Sequence, residues 1–132
     1  RMTEFRYRVI GGRGCLYAVG YDRDGADLKL SFGEGVCGQV RLGRRILPLS
    51  DGAAHFPRET LAGADGACEV LLFLPGKTVP CTPIRTGRGG SVGASEDALS
   101  LGAVLVSLDD RLCAAEAKAA ALEERLGRAT VL

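Results

Sequence analysis

Leucine and alanine recur at Leu101, Leu105, Leu108, Leu112, Ala115, Ala119, Leu122 and Leu126, in steps of four and three sustained over nearly four heptads. Such spacing commits the last third of the chain to an amphipathic helix with a narrow apolar seam. With Leu101 at position d, the e positions read Gly102, Asp109, Glu116 and Glu123, and the g positions read Val104, Arg111, Lys118 and Arg125. Every charged e is acidic and every charged g is basic. In a parallel coil each g residue faces the e residue five places on in its neighbour, so Arg111 meets Glu116 and Lys118 meets Glu123. An antiparallel arrangement would stack like charges. The pattern therefore predicts a parallel homo-oligomer. A helix docked on its own domain has a wider apolar face, so charged flanks from Leu105 onward predict a stalk that stands clear of the domain. Leucine at both a and d leaves the number of strands open, and Ala115 and Ala119 draw the helices together at some loss of buried area.

Ser95 is placed to cap this helix, Glu96 and Asp97 suit the positive end of its dipole, and Gly127 marks its stop. The expected helical segment covers residues 95–127, and the roughly 31 helical residues between its cap and its stop make a rod of roughly 46 Å. Before it, residues 87–94 are rich in glycine and bury nothing, which predicts a flexible joint.

Residues 2–86 show a hydrophobic period of two. Phe5, Tyr7 and Val9 alternate with Arg6 and Arg8, break at Gly11 and Gly12, and resume from Cys15 to form a hairpin. Asp22, Arg23, Asp24 and Gly25 predict a turn into a strand over residues 28–32, followed by short strands over 40–42 and 45–49. A further turn is expected over 50–53, an irregular connection around Pro57, and a strongly apolar strand over 68–74. Pro80 and Pro83 restrict residues 79–85 to an edge strand or an extended segment. About seven short strands with no helix before Ser95 predict an antiparallel β-sandwich or open barrel, mainly β, followed by a parallel coiled-coil stalk.

A net charge of +1 with 25% charged residues carries no bias toward nucleic acid or an anionic membrane surface. No apolar run reaches the length of a membrane span, and the first residues lack the pattern of a signal peptide, so the chain is expected to be soluble and intracellular when made. Met2 is the expected native start, with Arg1 an added residue. Cys15, Cys37, Cys68, Cys81 and Cys113 are odd in number and widely spaced, which suits free thiols acting as small hydrophobes and gives no metal site.

Residues 32–40 fit the pattern G-x-G-x-x-G-x-V through Gly33, Gly35, Gly38 and Val40, and resemble the glycine-rich loop of protein kinases over those nine residues. The other kinase elements are missing, since the next lysine is Lys77, and Pro48 stands where a dinucleotide fold needs a helix. Glycines serving turns are the expectation there. Arg85 and Arg88 among glycines, and the cluster of Arg41, Arg44 and Arg45, read as solvated turn residues. His55, near Asp51 and Glu59, lacks a nucleophile and reads as structural. No cofactor or catalytic residue is expected.

The order of these segments carries a resemblance. An alternating first strand, then Val40 through Leu49, then Asp51-Gly52-Ala53-Ala54-His55-Phe56-Pro57, then Glu69-Val70-Leu71-Leu72-Phe73 and a terminal coil are similar to small phage and prophage tail proteins. They are similar in particular to the N-terminal domain of the baseplate upper protein family, which implies manufacture in the bacterial cytoplasm. That resemblance implies a tail-attachment β-domain, a trimerising stalk, and a place in a virion or tail particle among other baseplate proteins. The family's receptor-binding tip has no counterpart after the stalk, so the implied role is adaptor or connector, with glycan or host-surface binding by the β-domain as the alternative. Glycan binding ordinarily uses exposed aromatic platforms, and the chain has no tryptophan and three tyrosines.

Overall fold

The computed structural model describes residues 2–21 and 27–130. Arg1 and the turn expected at Asp22, Arg23, Asp24 and Gly25 lie outside the described residues.

The first hairpin forms as the alternation requires. Strand β1 (Met2–Ile10) and strand β2 (Arg13–Gly20) pair antiparallel across Gly11 and Gly12, both at positive φ, where a side chain would be strained. Thr3, Phe5 and Tyr7 turn inward, with Leu16 opposite, while Glu4 and Arg6 face outward. The register slips by one residue between Arg6 and Tyr7, which leaves Tyr17 as an extra residue in β2, a bulge that bends the strand.

β3 (Asp27–Ser31) lies parallel to β1 on its other side, and β6 (Ala53–Pro57) pairs antiparallel with β3. β4 (Gln39–Leu42) and β5 (Arg45–Pro48) form a hairpin, and β4 joins β7 (Ala67–Leu74). β7 turns through Gly76 into β8 (Lys77–Thr86), and β8 meets β2. The strands follow the order β5-β4-β7-β8-β2-β1-β3-β6 in one nearly closed, barrel-like sheet. Inside lie Phe5, Tyr7, Leu16, Leu28, Leu30, Phe32, Val40, Leu42, Phe56, Val70, Leu72, Val79 and Ile84. Burial of each such side chain contributes about 1.5–3 kcal/mol.

Several expectations are corrected. The sheet is not wholly antiparallel, because β1–β3 and β2–β8 are parallel pairs. β8 is an interior strand despite Pro80 and Pro83. Its ladder toward β2 is a single pair, Gly14 with Cys81, and two residues, Thr82 and Pro83, oppose Glu69 alone, so a bulge absorbs the second proline. β6 was expected as turn and irregular chain, yet it is a regular strand whose small Ala53 and Ala54 are buried. The expected flexible joint has structure: a 3-10 turn at Arg88–Gly90 precedes β9 (Val92–Gly93), which pairs with β8. Helix α1 (Glu96–Thr130) runs through Gly127 instead of ending there. It is capped as expected, the Ala98 N–H donating to Ser95 Oγ at 3.5 Å.

The parallel seam where β8 meets β2 is completed by a side chain. The Leu16 N–H donates to Thr82 Oγ1 at 3.2 Å, and the Thr82 hydroxyl donates to the Gly14 carbonyl at 3.2 Å. The buried Tyr7 hydroxyl donates to the Thr82 carbonyl at 2.8 Å. Gly14 is obligatory at this seam, since a Cβ there would lie 2.3 Å from Cys81 Sγ.

Candidate functional site

The expectation of a stalk clear of the domain is corrected for the first four turns of α1. Gly102 and Val106 are buried, and Leu99, Leu105 and Asp109 are half-buried, because this face packs on β2. The contact is backbone-close: a Cβ added at Gly102 would stand 1.9 Å from the Leu16 carbonyl oxygen. The face escaped the heptad reading because, apart from Leu105 at its rim, its members lie at e and b positions outside the leucine seam. A glycine inside a long helix is the signal that could have found it, since glycine weakens a helix by about 1 kcal/mol and persists where backbones approach closely.

An ionic clasp marks the end of the docked segment. Arg8 on β1 holds Asp109 at 3.5 Å and also pairs with Asp110, while its guanidinium lies 5.9 Å from the centre of the Tyr17 ring. The Asp110 carboxylate is the main cause that raises the Arg8 pKa above its ordinary value. Asp109, expected as an interhelical e residue, is thus engaged within its own chain.

Beyond the clasp every residue over 110–129 is exposed. The expected seam lies along one line of the helix, with Leu101, Leu108, Leu112, Leu122 and Leu126 between 49% and 67% exposed. Ala115 and Ala119 sit exposed between them, and Leu105 is half-buried at the rim of the dock. The flanking Arg111, Glu116, Lys118, Glu123 and Arg125 are all exposed. At 1.5 Å per residue, the exposed segment is roughly 30 Å long. Helices owe most of their stability to packing of an apolar face.

Where the docked half meets the barrel seam, a groove of about 310 Å³ opens between the helix and the strands. Its helical wall includes Leu101 and Leu105, and its strand wall includes Gly14, Cys15, Thr82 and Pro83.

The remaining sequence features disperse. In the glycine-rich loop, Phe32 is buried and stacks on Tyr7 with ring centroids 5.0 Å apart. A Cβ at Gly38 would lie 2.2 Å from the Phe73 carbonyl oxygen, so this glycine serves strand packing. Glu34 and Asp51 line the adjoining concavity together with Lys29 and Ser31. Arg41 pairs with Glu69. His55 is exposed on β6 between buried Ala54 and Phe56. All five cysteines are free thiols: Cys68 is buried, Cys15 and Cys81 half-buried, and Cys37 and Cys113 exposed, so only part of the set lies in the core. Burial pushes the Cys81 thiol up to about 12. Among the described residues no group of three or more His, Cys, Asp or Glu could hold a metal ion, and no helix is long and apolar enough to cross a membrane.

No protein-family model matches the chain, and neither does any curated protein or solved structure.

Proposed function

We propose that this chain is a non-enzymatic assembly protein that self-associates in parallel through α1, with its β-barrels carried at one end of a helical stalk. The observation that supports this reading most is the segment 110–129, exposed on every side yet striped with Leu112, Leu122 and Leu126. Its flanks carry opposite charges on opposite sides, basic at Arg111, Lys118 and Arg125, acidic at Glu116 and Glu123, which suits a second copy in the same direction. An architecture of β-domain followed by stalk agrees with the resemblance to phage tail and baseplate proteins, and the role we assign is adaptor or connector between other components of such a particle.

The test is the solution mass of the full chain by light scattering, beside a variant carrying Leu112→Glu and Leu122→Glu. An oligomer that becomes a folded monomer on substitution is the expected result. A monomeric parent chain at tens of micromolar would remove the proposal.

A further inference from the structure

The position of Val104 narrows the partner further. Of the four g residues it alone is uncharged, the others being Arg111, Lys118 and Arg125. In a parallel coil its counterpart is Asp109 of the neighbouring helix. Each Asp109 is already held by Arg8 of its own chain, so a cation at position 104 has no free acid to meet. On the same flank lies the groove whose walls include Leu101 and Leu105 on one side and Cys15 and Pro83 on the other. An apolar side chain, 55% exposed, thus stands where a parallel neighbour presents an apolar recess.

One further observation limits the number of copies. Ala115 and Ala119 form two successive small layers. Two helices can close to about 8 Å over alanine, whereas three helices meeting at an axis leave a void there.

We propose that α1 pairs with one second copy of this chain, in parallel, and that Val104 of each chain seats in the other's groove between Leu101, Leu105 and the Cys15–Pro83 wall. The inference rests on the self-association reading above and departs from the trimer implied by the resemblance. The interface then includes the barrel as well as the stalk, and is symmetric, as a two-fold dimer requires.

A cross-link tests this directly, because a disulfide needs Cα atoms within about 7 Å. The full chain carrying Val104→Cys, with Cys37→Ser and Cys113→Ser to remove the exposed thiols, is oxidised with copper phenanthroline as a mixture of isotopically light and heavy chains. The expected product is a covalent dimer joined from position 104 to Cys15 between light and heavy chains, with no larger species; the chain retaining Val104 stays unlinked. In parallel, Val104→Asp weakens association at least tenfold while Val104→Ile leaves it unchanged. A dimer by light scattering that forms no 104-to-15 bridge overturns the groove seating but leaves self-association standing. A covalent trimer overturns the single partner, and a monomer overturns both this inference and the function on which it rests.

Discussion

Thr82 shows how much a single side chain can carry when the backbone ladder is thin. Its hydroxyl both accepts from Leu16 and donates to Gly14, which replaces the missing rungs between β8 and β2. Thr82→Val keeps the shape and strands both partners, so a loss of about 2 kcal/mol is expected in urea unfolding; a variant within a few tenths of the parent would show that the seam does not need these bonds. Glu4 offers a second residue-level test. The hydrogen bond from Arg6, aided by Lys29, lowers its pKa below the ordinary 4.5. A depressed carboxylate contributes stability in full above its unfolded value and loses it as pH falls through the folded one. The parent should therefore lose stability relative to Glu4→Gln on acidification from about pH 5 to pH 3. The group is partly exposed, so the difference is about 0.5 kcal/mol or less. Equal pH profiles for the two proteins would remove the pairing as a contributor.

At the level of elements, the docking of α1 on β2 hinges on Gly102. Gly102→Ala puts a methyl group into the Leu16 carbonyl, and the expected outcome is faster amide exchange over residues 96–109 with the barrel core still protected; unchanged exchange would mean that the helix does not rest on that contact. The helix and the hairpins were legible in the sequence because their signals are local: a seven-residue repeat, alternation through Phe5 and Tyr7, and glycines at the turns. β6 was not legible, since the small Ala54 fills an inward position beside Phe56 without looking apolar enough to make a period. β8 misled because its prolines speak of an edge, whereas the bulge that absorbs Pro83 lies in its pairing with β7, and the single-pair seam is with β2, over sixty residues earlier. The docked face of α1 was hidden in the same way. Its residues Leu99, Gly102 and Val106 gain meaning only once Leu16 and Tyr17 are known to lie beneath them. Of the expected seam the structure leaves Leu108, Leu112, Leu122 and Leu126 exposed, whereas Leu105 is half-buried at the dock and Asp109 is held by Arg8, equally remote in the chain.

For the molecule as a whole, the proposed self-association would couple folding to association through the exposed half of α1. A partner that binds only the folded helix stabilises it by mass action, so thermal unfolding of the helical signal should shift upward with protein concentration, by several degrees over a hundredfold range, while the Leu112→Glu, Leu122→Glu variant shows no such dependence. A concentration-independent parent would contradict the coupling. The place where α1 rests has a mechanical corollary. The helix leans on β2 at Leu16, the strand whose other neighbour is held by one backbone pair and the Thr82 hydroxyl, and it is tethered to β1 by Arg8. Tension applied at the far tip of the rod would thus be delivered first to a charged tether and then to the thinnest joint of the barrel, giving the molecule a defined order in which it yields under load.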